Sequence, residues 1–333
     1  AAAGYSTLPR DVNVPSIGVS QLISGDTVSR HVTNVGASGT YTPVVDAPPG
    51  VELFVQPASL SLDTGQTAEF AVSFQRRGAA LDRWSFGRIT WTDGVHSVVS
   101  PIAARPVTLR APEELSFRAS VGTAPIPIAF GYSGAYQAQA HGLRAALTDF
   151  CRDQNDSSVP CAIDDDPTNE FSFRFDNGVN AHLVEVPPDQ LYARFALFDE
   201  QTDGDDDLDL YVFYCPNNQC TQIAQSGSFT SEEEINLVAP APGTYAVLVH
   251  GFETDETAGG PGALYRLYAW AFGAIDVVGN LSVVYPSAVA DGGRAELRID
   301  WGPLAPATRY LGAVSHVTPA GRYGLTLLRI DSP

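Results

Sequence analysis

Apolar and polar residues alternate in short runs along most of this chain. Gly, Pro, Asn and Asp clusters break the runs at intervals of roughly 8–12 residues, the spacing of short strands joined by turns. Residues 1–9 are small and Ala-rich and read as a linker. Between Arg10 and Leu109 the pattern predicts about seven strands, among them Val28–Val35, Tyr41–Val45, Val51–Val55, Ser59–Leu62 and Ala68–Phe74. Gly87–Trp91 and Val95–Pro101 flank Asp93-Gly94, a two-residue hairpin signal. Residues 110–273 continue with a jelly-roll-like run of strands. His141–Phe150 reads as a short helix or a loop, and the polar stretch Asp149–Glu170 as an exposed insert. Residues 274–333 predict a smaller third unit, whose roughly 60 residues bury little surface alone and must lean on the second. The expected fold class is all-β, three consecutive β-sandwich domains.

Composition sharpens this picture. The chain has 333 residues, 44% of them hydrophobic, enough for real cores. Residues 151–260 hold 22 acidic groups against three arginines, while the rest holds 16 of each, so the net charge of −19 sits in the middle. Such a surface disfavours nucleic acid and anionic membrane and favours cations or basic partners. Every basic group other than histidine is Arg, and Met is absent, a composition that reads as a high-GC bacterial source and a processed or partial chain. No apolar run approaches the roughly 20 residues that span a bilayer, and any signal peptide would precede Ala1.

The four cysteines fall in two local pairs, Cys151/Cys161 and Cys215/Cys220. Three connectivities exist, and spacing favours two short disulfide loops. A zinc site is the rival, although the spacings do not match the usual fingers. Disulfides place the chain in an extracellular or periplasmic compartment.

Several stretches carry a resemblance. DVNVPSI (Asp11–Ile17), HVTNVGASGTY (His31–Tyr41), APPGVELFVQPASLSL (Ala47–Leu62) and ITWTDGVHSVVSPIA (Ile89–Ala103) resemble the fibronectin-type-III-like domain that follows the catalytic domain in subtilisin-like serine proteases. DLDLY (Asp207–Tyr211) and PAPGTY (Pro240–Tyr245) resemble the bacterial pre-peptidase C-terminal type of β-sandwich, although the cysteine-flanked insert departs from its minimal pattern. RYLGAVSHV (Arg309–Val317) is similar to the last, Ig-like domain of such proteases. The resemblance implies domains at 10–109, 110–273 and 274–333, a catalytic domain N-terminal to this chain, and secretion.

The catalytic chemistry itself is missing from the sequence. Asp63-Thr64-Gly65 copies the aspartate motif of subtilisins, but neither a His-Gly-Thr nor a Gly-Thr-Ser motif occurs. Acyl transfer needs nucleophile, base and orienting acid together, so Asp63-Thr64-Gly65 reads as a turn. There is no Gly-x-Ser-x-Gly elbow, Walker loop or dinucleotide fingerprint. The six histidines show no metal spacing and read as packed or surface residues. Asn155 and Asn280 match the glycosylation pattern.

One stretch remains chemically unusual. Between Asp199 and Asp209 lie seven carboxylates in eleven residues. In a strand, Asp207 and Asp209 share a face with Tyr211, and Leu208, Leu210 and Val212 share the other. Asp203, Asp205, Asp206, Asp207 and Asp209 are candidate oxygen ligands for calcium. The alternative is that they accept backbone hydrogen bonds or face water. Asp164–Asp166 and the acids of 253–256 are weaker candidates. Tyr132, Tyr136, Trp270 and Trp301 are candidate contacts for a protein or polysaccharide substrate, or core residues. Two functions follow: a non-catalytic accessory region of a secreted subtilisin-like protease, serving stability, localisation or substrate positioning; or a free-standing extracellular binding module of the adhesin or carbohydrate-binding kind.

Overall fold

A computed structural model describes residues 9–148, 160–166, 178–202, 205–254, 262–275 and 278–333. The described chain is almost entirely strand. Near the N-terminus, a five-stranded sheet is ordered Ile17–Leu22, Ser97–Pro106, Ser85–Thr92, Gly39–Asp46, Leu60–Leu62. Its companion is the three-stranded sheet Gly25–Thr33, Thr67–Arg76, Val51–Gln56. Alternation sends Phe70, Val72 and Phe74 inward against Ile89 and Ile102, and Phe70 meets Trp91 edge-on with centroids 5.1 Å apart.

The hairpin at Asp93-Gly94 forms, but with a longer loop than expected. Thr92 pairs with Ser97, which leaves residues 93–96 as the connection. The Asp93 carboxylate accepts the backbone N–H groups of Val95 and His96 at 2.9 and 2.6 Å, an Asx-type closure that takes the place of the two-residue turn. Asp63-Thr64-Gly65 is a turn: Gly65 has φ +78°, and Gln66 N–H donates to the Asp63 carbonyl.

The expected order of three consecutive domains does not match the strand pairing. Leu109–Arg110, Gly122–Phe130, Arg294–Trp301 and Leu281–Val284 share one sheet. Glu114–Phe117, Gly321–Ser332, Thr308–Thr318 and Gln137–Ala145 share the facing one. The two halves enclose a common core of Ile126, Ile128, Phe130, Tyr136, Leu297, Ile299, Val314 and Leu328. Residues 274–333 therefore do not fold as a unit of their own. Their strands share both sheets with those of 109–145, which supplies the apolar face that so short a segment lacks.

A further sandwich is inserted between these halves. One of its sheets is Val179–Val186, Gly243–Glu253, Asp207–Tyr214, Thr221–Ser226. The other is Leu147–Thr148, Tyr268–Gly273, Gln190–Ala196, Glu234–Val238. Phe195, Leu208, Leu210, Val212, Val247 and Val249 lie between them. The stretch expected as a helix or loop at 141–150 is mostly strand where described, Gln137–Ala145 and Leu147–Thr148; Asp149 and Phe150 lie outside the described residues.

The three sandwiches meet at polar joints. Arg194, buried in the insert, forks onto Glu114 of the host at 3.2 and 2.6 Å and pairs with Glu234 at 2.9 Å. Between the first sandwich and the host, Asp82 accepts from the Thr108 hydroxyl at 2.6 Å and from the Tyr323 hydroxyl. Arg76 donates to the carbonyls of Ile23 and Gly131 and pairs with Asp291. Gly131 is required there because a Cβ would stand 2.1 Å from the Val107 carbonyl oxygen.

Candidate functional site

The acidic stretch enters the inserted sandwich as the strand Asp207–Tyr214. Leu208, Leu210 and Val212 fill the core, as the alternation predicts. Asp207, Asp209 and Tyr211 take the opposite face, beside the strand Gly243–Glu253. Register places Asp209 opposite His250, and Asp207 opposite Glu253 across a bulge.

His250 is completely buried. Its Nδ1 lies 3.4 Å from Asp209 Oδ2 and its Nε2 lies 3.1 Å from Asp166 Oδ2. Burial alone would lower the imidazole pKa, but hydrogen bonds and charge from Asp209 and Asp166 outweigh it and raise the value. The shift favours the imidazolium, which can donate from both ring nitrogens to the two carboxylates. Asp209 also accepts from the Tyr211 hydroxyl at 3.2 Å. Burial, then the Asp209 charge, pushes that phenol up to about 12. Gly227 makes room for this carboxylate, since a Cβ there would stand 2.6 Å from Asp209 Oδ1.

Asp207 is half-buried, and its Oδ1 has no hydrogen-bond partner among the described residues. Burial, followed by the charges of Asp209, Glu233 and Glu253, raises it to about 6, with His250 opposing the rise. Glu233 is buried and committed to the loop after Ser226, accepting the Ser228 N–H at 2.6 Å and the Ser226 hydroxyl.

Four of the five candidate calcium ligands, Asp205, Asp206, Asp207 and Asp209, lie among the described residues. Asp206, just before the strand, is buried, with its carbonyl taking the Ser231 hydroxyl. Asp205 is exposed, Asp209 is engaged by His250 and Tyr211, and Asp203 lies outside the described residues. No group of three or more His, Cys, Asp or Glu among the described residues is placed to hold a metal ion. Of the weaker candidates, Asp166 is buried against His250 rather than exposed, and Glu253 is exposed. The Asp209–His250–Asp166 link has no local sequence signal, because its members lie 41 and 84 positions apart.

Cys215 and Cys220 are bonded, closing the turn after the strand. Cys161 is also in a disulfide; Cys151 lies outside the described residues. Tyr136, Trp270 and Trp301 are buried core residues and Tyr132 packs on Phe130, so none of them is an open platform for substrate. Asn280 is occupied internally, accepting from Leu143 N–H at 2.8 Å and donating to its carbonyl at 3.0 Å; Asn155 lies outside the described residues.

The architecture defines a class, a multi-sandwich β-protein whose polar clusters serve to hold strands and joints. Comparison with known proteins narrows the first sandwich further. Residues 11–104 match the fibronectin type-III domain. Over 97 residues the chain is 39% identical to subtilisin-like protease SBT3.2 of Arabidopsis thaliana, covering 28% of this chain and 13% of the relative. SBT3.17 of the same plant is 38% identical over 102 residues, 30% of this chain and 14% of the relative. Subtilisin-like protease Glyma18g48580 of Glycine max is 41% identical over 98 residues, 28% of this chain and 12% of the relative. The first sandwich is a fibronectin type-III domain homologous to part of subtilisin-like proteases, and the chain matches about an eighth of the length of these relatives. Similarity to solved structures, such as a Pseudomonas aeruginosa CupB2 chaperone at 10% identity, is weak, with a TM-score of 0.24 over 95% of this chain and 97% of the other.

Proposed function

We propose that this chain is a non-catalytic accessory region of a secreted subtilisin-like serine endopeptidase. The catalytic domain would lie N-terminal to it in the same polypeptide. One observation carries the reading: the only stretch matched to the named proteases is the fibronectin type-III domain, at 38–41% identity. The buried joint at Arg194 and the exposed one at Asp82 support a role in stability or in positioning substrate, because they tie each sandwich to its neighbour. The Cys215–Cys220 bond supports an oxidising compartment, and no helix among the described residues is long and apolar enough to cross a membrane. A bacterial source is supported by composition alone; the relatives named above are plant proteins. Incubating the chain by itself with casein tests the reading. No hydrolysis is expected, and turnover blocked by a serine-directed inhibitor would overturn it.

A further inference from the structure

Two surface features of this chain complement each other. The first is a groove of about 760 Å³ where the first sandwich meets its host, within the size range of binding sites. Gln21 lines it from the first sandwich, and Arg110, Pro112, Pro127, Arg294 and Glu296 line it from the host. Arg110 and Arg294 stand on either side of Ala129 in one row of the sheet, and residues directly opposite share a face. Arg294 is exposed and has no ion-pair or hydrogen-bond partner among the described residues. Arg110 makes a 3.5 Å contact with the Gln21 carbonyl, and Glu296 forms an ion pair with neither arginine.

The second feature is the loop 227–233 of the insert. Its base is fixed. Glu233, buried, accepts the Ser228 N–H at 2.6 Å and the Ser226 hydroxyl. Ser231, also buried, donates to the Asp206 carbonyl at 2.8 Å. At its tip stands Phe229, 97% exposed. A single exposed apolar residue is ordinary; here the loop that carries it is braced, and its surroundings are acidic. Glu232 is exposed and accepts the Asp199 N–H at 3.2 Å, with Arg329 offsetting its charge in part. Asp199 and Asp205 are exposed beside it.

An aromatic tip among carboxylates fits a groove rimmed by guanidinium groups. A carboxylate takes the guanidinium fork in two parallel hydrogen bonds, and the same cation is attracted to the face of an aromatic ring. Pro112 and Pro127 offer apolar walls to that ring. Residues 151–260 carry the whole net charge of −19, and the groove lies outside them. Among the described residues none of the insert lines the groove, so loop and groove of one molecule do not meet. We propose that the groove of one copy receives the Phe229 loop of a second copy, associating the chain head to tail. Such a contact joins two different patches and leaves one of each open at the ends, so it extends rather than closes. The assignment stands apart from the protease reading.

Sedimentation velocity of the full chain tests this. At about 0.05 M salt the mean sedimentation coefficient should rise with concentration past the dimer value, and about 0.5 M salt should weaken association about tenfold or more, because salt screens exposed charges. Phe229→Ala removes the tip and Arg294→Glu spoils the groove. Both residues are exposed, so melting temperatures should hold. Each variant alone should associate at least about tenfold more weakly than the parent. Their mixture tests the polarity of the contact: Arg294→Glu supplies the loop, Phe229→Ala supplies the groove, and the pair should recover the parent affinity but stop at the dimer. A parent still monomeric at about 1 mM, a parent that stops at the dimer, association indifferent to salt or to either substitution, or a mixture no tighter than the single variants would each overturn the proposal.

Discussion

His316 gives the sharpest quantitative prediction. It sits in the host sandwich, almost fully buried. The Tyr136 hydroxyl donates to Nδ1 at 2.7 Å. The Thr326 hydroxyl donates to the Pro112 carbonyl at 2.7 Å, which leaves its oxygen to accept from Nε2–H at 2.9 Å. Each group in this chain is satisfied while the imidazole is neutral. Protonation would put a second N–H against the Tyr136 hydroxyl in a site without a carboxylate partner. Burial accordingly pushes His316 from 6.5 down to about 4.

The sign follows from proton counting. Above pH 6.5 neither state holds the extra proton and the residue is neutral in its effect. Between 6.5 and about 4 the unfolded chain takes up a proton that the folded chain refuses, so stability falls as the pH falls. At about 1.4 kcal/mol per pH unit, this removes about 3 kcal/mol by the lower end of that window. His316→Gln presents an acceptor to Tyr136 and a donor to Thr326 without titrating. Urea unfolding at several pH values, followed by tryptophan fluorescence, reads the difference, since Trp301 lies in the same core. The variant should show a slope shallower than the parent by about 1.4 kcal/mol per pH unit within the window. Parallel slopes would refute the buried, neutral histidine, since every other titrating group is common to both proteins.

Other predictions concern the joints and the acidic strand. Arg194→Met should destabilise by about 3–5 kcal/mol in the same assay, because Glu114 and Glu234 lose the buried cation they share; a loss below about 1 kcal/mol would show the pair to be solvated. Gly131→Val should loosen the first sandwich from its host, seen as a larger radius of gyration in small-angle scattering, because its Cβ would collide with the Val107 carbonyl; an unchanged scattering profile would remove that joint. Asp207 keeps a proton between 3.8 and about 6 that the unfolded chain has lost, so its ionisation costs stability as the pH rises through that range. Asp207→Asn should therefore raise the melting temperature above pH 6 and have no such benefit near pH 4, with chelator making no difference; destabilisation that depends on calcium would instead make Asp207 a ligand.

Much of the local structure was legible in the sequence, because strand alternation and turn chemistry act between near neighbours. Leu208, Leu210 and Val212 face the core and Asp207, Asp209 and Tyr211 face away, as period two requires. Asp63-Thr64-Gly65 declared itself a turn through its residue types. What stayed hidden depends on distant partners. Gly122–Phe130 pairs with Arg294–Trp301 across the whole insert, and no local pattern distinguishes that from pairing within a third domain. His250 looked like one scattered histidine until the register with Asp209 and the contact with Asp166 placed it between two carboxylates.

The accessory-region reading stands or falls on the native polypeptide. Peptide mapping of the intact natural protein reports directly whether residues of a subtilisin-like catalytic domain, with its aspartate, histidine and serine motifs, precede Ala1 in the same chain. The expected result is that they do. A native polypeptide containing the fibronectin type-III domain and both further sandwiches but no such catalytic domain would contradict it.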